Sequence, residues 1–206
     1  MNIGITEAVA LAAGLGWASG FRLYAALLIA GLLQFAGLVQ LPPALQILAH
    51  PVVLGASGVM AVVEFMADKM PGVDSLWDAI HTFIRVPAGA ILAYAAIADL
   101  DPAWALAAAI VGGTLAAGTH AAKAGTRAAI NTSPEPFSNW GASLAEDVTV
   151  LGGAWLVWQY PLVFLGLLFL FVLFCIWWVP KVFRFVRAIL RRVGGWLGFS
   201  PPAQRP

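Results

Sequence analysis

The segment Glu64–Arg85, EFMADKMPGVDSLWDAIHTFIR, decides how this chain is expected to fold. It sets the carboxylates of Glu64 and Asp68 at the end of an apolar stretch that begins at Pro51. It then adds further charged or titratable residues: Lys69, Asp74, Asp78, His81 and Arg85. Charges at membrane depth are costly, and they face a bundle interior or a water-filled cavity. The segment therefore predicts membrane helices assembled around a polar cluster.

The composition argues against a soluble domain. Of the 206 residues, 61% are hydrophobic and 10% are charged, whereas soluble domains are about half apolar and about a quarter charged. Several apolar segments approach the ~20 residues that cross a hydrocarbon layer. We predict an all-α integral membrane protein with a single polytopic domain over residues 1–179. The net charge of +1 implies no nucleic-acid partner, and nothing in the sequence requires a cofactor.

Six apolar segments are predicted to span the membrane. The first, Ile5–Val39, is longer than one straight span needs, so it is either one tilted helix or two pieces broken near Gly16–Gly20. Arg22 follows those glycines and must snorkel or find a partner. The other five segments are Pro51–Ala67, Pro87 to about Asp99, Ala103 to about Ala122, Ser138 or Asn139 to about Trp158, and Leu162–Val179.

Two further stretches are amphipathic. Between the second and third spans, Ser75–Arg85 is predicted to form a short interfacial or re-entrant helix, with Leu76, Ile80, Phe83 and Ile84 opposite its polar face. Residues 180–206 are predicted to be a cationic cytoplasmic tail that contacts anionic lipid. The basic residues of that tail are Lys181, Arg184, Arg187, Arg191 and Arg192.

The basic residues also predict the orientation. Lys and Arg occur in or near the second connection, the fourth connection and the tail, and the first, third and fifth connections carry none. With six spans, the positive-inside rule then places both termini in the cytoplasm. We expect the protein in a bacterial inner membrane, and faces of small residues make a homo-oligomer plausible.

Depth predicts which charged groups meet. At 1.5 Å per residue, Glu64 lies on the order of 20 Å into a span that starts outside, and His120 about 27 Å into its own. Glu146 lies about 12 Å into a span that starts inside. All three reach the inner half of the bilayer. The candidate binding or pathway residues are Arg22, Glu64, Asp68, Lys69, Asp74, Asp78, His81, Arg85, His120, Lys123, Arg127, Glu146 and Asp147.

Several chemistries fit this set. Its carboxylates and histidines, Glu64, Asp68, His120 and Glu146 above all, could ligate a divalent ion. His120, Lys123 and Arg127 share a helix face and could hold a phosphate head group. The plainest alternative is a network of ion pairs, such as Glu64 or Asp68 with Arg85, and Glu146 or Asp147 with Lys123 or Arg127.

Three functions remain open at this point: a transporter or channel for a small solute or ion, a membrane enzyme acting on a lipid or isoprenoid phosphate, and a non-catalytic scaffold. No nucleophile or phosphate-loop motif favours the enzyme. A short echo of Ala18–Arg22 in Ala116–His120 suggests a 3+3 inverted repeat, a feature of many transporters.

Four segments together resemble a known family. They are SGFRLY (Ser19–Tyr24), EFMADKMPGVDSLWD (Glu64–Asp78), HAAKAGTRAAINTSPEPFSN (His120–Asn139) and SLAED (Ser143–Asp147). They resemble a small bacterial membrane family, domain of unknown function 4126, over about residues 10–155. The resemblance implies a multi-pass membrane protein and carries no catalytic residues with it.

Overall fold

The computed structural model describes residues 4–132 and 137–196, and these form six α-helices and one 3₁₀ helix. The 3₁₀ helix is Pro43–Ala49, between the first two α-helices. In chain order the α-helices are α1 Ile5–Phe35, α2 Pro51–Ala67, α3 Val73–Ile97, α4 Pro102–Ile130, α5 Phe137–Gln159 and α6 Pro161–Trp196. No strand occurs in the described ranges, which confirms the all-α prediction. The bounds of α2 confirm those predicted for the second apolar segment, Pro51–Ala67.

Four of the helices are long and apolar enough to cross a membrane: α1, α3, α4 and residues Pro161–Ile189 of α6. The 3₁₀ helix and α2, bent by 68° against each other, would form a fifth span if they count as one. Large apolar side chains such as Phe83, 82% exposed, cover the outside of the bundle. The interior holds fully buried arginines instead, an arrangement that suits lipid surroundings.

Glycines allow α1, α3 and α4 to pack closely. A Cβ added to Gly16 would lie 2.7 Å from Cα of Gly112, and one added to Gly20 would lie 2.5 Å from the carbonyl oxygen of Ala116. A Cβ on Gly89 of α3 would lie 2.6 Å from that of Ala116. Small residues at such positions let helix backbones approach. Gly118 of α4, in contrast, has open space where a Cβ would be.

The first apolar segment is one helix with a kink. Arg22 alone in α1 leaves helical geometry, with φ −144° and ψ 75°. The break therefore lies two residues beyond the predicted Gly16–Gly20 region. The break is at Arg22, a residue that could reach the predicted cluster only if the first helix was broken or tilted.

The predicted short helix over Ser75–Arg85 is not a separate element. α3 runs from Val73 to Ile97, with Pro87 inside it. Its polar face, Asp74, Asp78, His81 and Arg85, is buried, and its apolar face is exposed. An interfacial helix would present its polar face to water. Here the polar face points into the protein, because the surroundings of the bundle are apolar and its interior supplies partners for charge.

The last span and the tail are also continuous. α6 passes through Pro180 and ends at Trp196, so no helix boundary lies at residue 180. Lys181, Arg184, Arg187 and Arg191 are exposed on this extension, and the Lys181 ammonium lies 3.4 Å from the ring centroid of Trp177. Residues 197–206 of the predicted tail, and the side chain of Arg192, lie outside the described part of the chain.

Candidate functional site

Charged side chains from five helices meet at one end of the bundle. Arg22 comes from the kink of α1, and two carboxylates come from the last turn of α2 and its cap. The N-terminal half of α3 and the C-terminal half of α4 contribute buried residues, and α5 contributes residues from its first turns. The chain brings together residues that the sequence places far apart: Arg22, Glu64, Asp68, Asp78, Arg85, His120, Lys123, Arg127, Glu146 and Asp147.

Asp68 is the centre of this network. Its Oδ2 lies 2.6 Å from Nζ of Lys123 and 2.9 Å from a terminal guanidinium nitrogen of Arg22. Arg127 lies 3.9 Å from the same oxygen, and the Asp68 side chain is fully buried. The sequence left either Glu64 or Asp68 as the partner of Arg85, and the structure pairs Arg85 with Glu64. Arg22 and Lys123 reach Asp68 instead, because the α1 kink and the close approach of α4 bring them there.

Arg22 joins α1 to α2 and α5. Besides Asp68, its Nε lies 3.0 Å from Oδ1 of Asp147 and 3.7 Å from Oε2 of Glu146. One terminal nitrogen also donates to both the carbonyl and the hydroxyl oxygen of Ser143, at 3.2 and 2.8 Å. With 1% of its surface exposed, Arg22 does not snorkel. Burial of a guanidinium is tolerated only where it is paired and hydrogen-bonded in this way.

Arg85 forms a second branch, in α3. Its two terminal nitrogens lie 2.7 Å from Oε1 of Glu64 and 2.8 Å from Oδ1 of Asp78. The Glu64–Arg85 pair is one that the sequence predicted. One guanidinium thus serves two carboxylates, and all three side chains are buried. Lys123, 3.8 Å from Oδ1 of Asp78, links this branch to Asp68.

His120 of α4 completes the Arg85 branch as a neutral group. Its Nδ1 lies 3.0 Å from a terminal nitrogen of Arg85, which can only donate, so this ring nitrogen accepts. Its Nε2 lies 2.7 Å from Oγ1 of Thr82, and that hydroxyl donates to the carbonyl oxygen of Asp78. The proton of the neutral ring is therefore on Nε2.

Arg127 holds the other side of the network. Its Nε and one terminal nitrogen donate to Oε1 of Glu146, at 3.3 and 3.1 Å. Its second terminal nitrogen donates to the carbonyl oxygens of Asp68 and Asn139 and to the amide oxygen of Asn139. Lys123 also lies 3.3 Å from Glu146. The sequence left open whether Glu146 or Asp147 pairs with Lys123 or Arg127, and in the structure it is Glu146, which contacts both cations.

Three predicted residues stand at the edge of the network. Asp74 accepts from the backbone of Gly72 and Ser75 and from the amide of Asn131, at 2.6–2.9 Å, which makes it a support for the start of α3. His81 bonds the Trp77 carbonyl and the Tyr24 hydroxyl. The last of the three, the half-buried Lys69, donates to Ser143 and lies over the Phe65 ring.

The arrangement of these side chains does not support the metal site or the phosphate site that the sequence left open. Within residues 4–132 and 137–196, no three His, Cys, Asp or Glu side chains group closely enough to hold a metal ion. Lys123 and Arg127 are 2% and 0% exposed and are already held by Asp68 and Glu146. His120 donates to a threonine and accepts from Arg85. These three side chains therefore do not present a free surface to a lipid phosphate.

Sequence reasoning missed the uncharged members of the site. Ser143 and Asn139, both 0% exposed, lie four residues apart on α5 and accept from Arg22 and Arg127. Asn139 also donates to Asn131, which in turn holds Asp74. Both residues stand in segments that carry the family resemblance. The available signal was their shared helix face with Glu146 and Asp147.

Comparison with known proteins places the chain in a family. The family described as Domain of unknown function (DUF4126) matches residues 9–181, so the match extends beyond the resemblance over about residues 10–155 and into α6. No curated protein and no solved structure matches the chain. Because the family match covers most of the 206 residues, this membrane protein belongs to the DUF4126 family.

Proposed function

We propose that this protein is a small transporter or channel that passes an ion or small solute through the polar cluster. The observation that carries the proposal is the kink of α1 at Arg22, where a membrane helix loses its regular geometry inside a network of buried charges. Transporters place their binding sites at such interrupted helices.

An opening beside the network supports the same proposal. A groove of about 270 Å³ between α1 and α2 is lined by Arg22, Glu64 and Asp147, and otherwise by apolar residues including Leu28 and Phe65. Three of the network's charged residues thus line the groove, although the side chains of Arg22 and Glu64 are buried. A solute would enter here and exchange contacts with groups that are paired in the present arrangement.

The proposed topology has six spans with both termini in the cytoplasm of a bacterial cell. α5, which carries Glu146 and Asp147, is then the sixth span, held in the membrane by its paired charges. The 3+3 repeat, a homo-oligomer and anionic lipid at the basic end of α6 belong to the same proposal. Cysteines introduced as Leu38→Cys and Arg187→Cys in a Cys175→Ala background test it. An impermeant thiol reagent added to intact cells should label the first and spare the second.

The function itself is tested by flux. The purified full-length protein is reconstituted into liposomes and assayed against a panel of labelled ions and small polar solutes. The expected result is protein-dependent flux that falls at least about tenfold with Glu64→Gln, a loss that corresponds to 1.4 kcal/mol. Asp99→Asn, which changes an exposed carboxylate in the turn before α4, should retain wild-type flux.

A charge exchange separates transport from scaffolding. In Glu64→Arg combined with Arg85→Glu, the pair is re-formed with opposite polarity. A scaffold needs only the pair, so it should recover both stability and cellular role. A transporter should recover stability but not flux, because a guanidinium would line the groove where the wild-type protein has the carboxyl group of Glu64. Absence of flux across the whole panel, with normal behaviour of the neutral variants in cells, would overturn the transport proposal.

A further inference from the structure

Positive charge is unevenly distributed over the buried carboxylates. Asp68 lies within 4 Å of Arg22, Lys123 and Arg127. Among the described residues, Glu64 has one cation within that distance, Arg85, and shares it with Asp78. Asp78 also has Lys123 at 3.8 Å. Of the three buried carboxylates that pair with cations, Asp68, Asp78 and Glu64, the last has the fewest within 4 Å, although it is 0% exposed. Asp74 has no cation that close in the part of the chain that the structure describes, but both of its oxygens accept hydrogen bonds.

One oxygen of Glu64 is also unused. Oε1 accepts from Arg85, but Oε2 is buried and has no hydrogen-bond partner in the described part of the chain. Oδ1 of Asp68 and Oδ2 of Asp78 are also buried without such a partner, but their carboxylates have more cations nearby. A buried carboxylate whose charge is only partly compensated favours its protonated form. Glu64 is also one of the residues that line the groove between α1 and α2.

The neighbouring histidines are not better proton acceptors in this arrangement. A proton on Nδ1 of His120 would break its bond from Arg85 and set two cations 3.0 Å apart. Nε2 of His81 is occupied by the Tyr24 hydroxyl, and its Nδ1 by the Trp77 carbonyl. The titratable or charged groups that surround Glu64 are Arg22, Tyr24, Asp68, Asp78, His81, Arg85, His120, Lys123 and Asp147. Glu64 shares Arg85 with Asp78, and the other cations in this set are paired with other carboxylates. No cation of this set is therefore available to Glu64 alone.

We infer that Glu64 is a proton-binding site that carries its proton on Oε2 at neutral pH. Hydronium in the groove gives up a proton and leaves water, an O–H bond forms on Oε2, and the reverse step returns the proton. Oε1 keeps its bond from Arg85 in both states. Use of this proton as the coupling ion of a transport cycle rests on the proposed function; the presence of the proton does not.

Infrared spectroscopy of the full-length protein in lipid nanodiscs tests the inference without any flux measurement. At neutral pH the wild-type protein should show the carbonyl band of a protonated carboxyl group, shifted in heavy water. Glu64→Gln should remove this band, and the exposed-site variant Asp99→Asn should keep it. Absence of the band in the wild-type protein, or its survival in Glu64→Gln, would overturn the site whatever the flux assay gives.

Thermal unfolding provides a second and independent measurement. Glutamine resembles a neutral glutamic acid, so Glu64→Gln should shift the unfolding temperature by less than about 4 °C, the equivalent of a small perturbation in a chain of this size. Asp68→Asn removes a truly ionised partner of several cations and should lower it by about 8 °C or more. Equal losses in the two variants would show that Glu64 is ionised and would contradict the inference.

Discussion

Arg22 pairs with Asp68 at 2.9 Å from the one residue of α1 whose backbone is not helical. The kink and the ion pair therefore belong to the same residue. Because the guanidinium also contacts Ser143 and Asp147 of α5, three helices are joined at the point where the first one changes direction. Changes at Arg22 should consequently affect both the stability of the bundle and the proposed transport.

Replacing Arg22 with glutamine should be severe. The change leaves Asp68 and Asp147 without a shared cation, and breaking a buried pair costs about 3–5 kcal/mol. Arg22→Lys should recover only part of this, since one ammonium cannot reproduce the fork of contacts to three residues. Denaturant unfolding in mixed micelles measures both. Arg187→Gln, on the exposed part of α6, should stay within about 0.5 kcal/mol of wild type. A stable Arg22→Gln protein would contradict the importance given to this residue.

Arg127 and Glu146 should be energetically coupled. They meet through two hydrogen bonds of 3.1 and 3.3 Å, and contacting residues in one network show interaction energies of about 0.5–3 kcal/mol. A double-mutant cycle with Arg127→Met and Glu146→Gln measures this value. Arg127→Met alone should cost more than Glu146→Gln alone, because Arg127 also donates to Asp68 and Asn139. Additive effects of the two substitutions on the free energy of unfolding would mean that Arg127 and Glu146 are not energetically coupled.

Two glycines that look alike in sequence should respond oppositely to alanine. At Gly20 the new Cβ would lie 2.5 Å from a backbone oxygen of α4 and 2.6 Å from Cβ of Thr119, so Gly20→Ala should force α1 and α4 apart and destabilise the protein. At Gly118 nothing lies within 4 Å, so Gly118→Ala should gain up to about 1 kcal/mol of helix propensity. The comparison is made by thermal unfolding in detergent. If Gly118→Ala destabilised the protein as much as Gly20→Ala, the space around each glycine would not determine the effect of the substitution.

The apolar face of α3 should contact lipid. In a Cys175→Ala background, a fluorophore attached to Phe83→Cys, at a position 82% exposed, should be quenched by nitroxide-labelled lipids. Leu92→Cys, at a position 7% exposed on the same helix, should resist labelling in the folded protein. Quenching of the Phe83→Cys label by a water-soluble quencher instead of by lipid would indicate that this segment lies at the membrane surface. That result would contradict its position within a membrane-spanning α3.

Much of the site was predictable from spacing alone. The bounds of α2 followed from the sequence, and helix periodicity and depth left two alternatives for each ion pair: Glu64 or Asp68 with Arg85, and Glu146 or Asp147 with Lys123 or Arg127. The structure selects Glu64 and Glu146. The partners of Asp68 did not, because they depend on how far α1 bends and how closely Gly16 and Gly20 bring α4 to it. Distances between helices are not encoded in the period of any one of them.

The separate short helix predicted over Ser75–Arg85 was the larger error, because these residues belong to the continuous helix α3. Periodicity correctly separated Asp78 and Arg85 from Phe83, and the expectation that such charges face the interior of the bundle agrees with their burial. In the folded chain the polar side is buried, because carboxylates and cations from the other helices solvate it better than lipid could. Pro87 was read as a helix start, and its accommodation within α3 also depends on the neighbouring helices.

By itself, the amino-acid sequence determined an all-helical membrane protein whose few charges gather at one end, since apolar length and scarce charge are properties of the chain alone. Only the tertiary structure decided which charges neutralise one another and which carboxylate is left with too little positive charge. That outcome depends on atom-to-atom distances between separate helices, and electrostatic energy in an apolar interior changes steeply over a few ångströms.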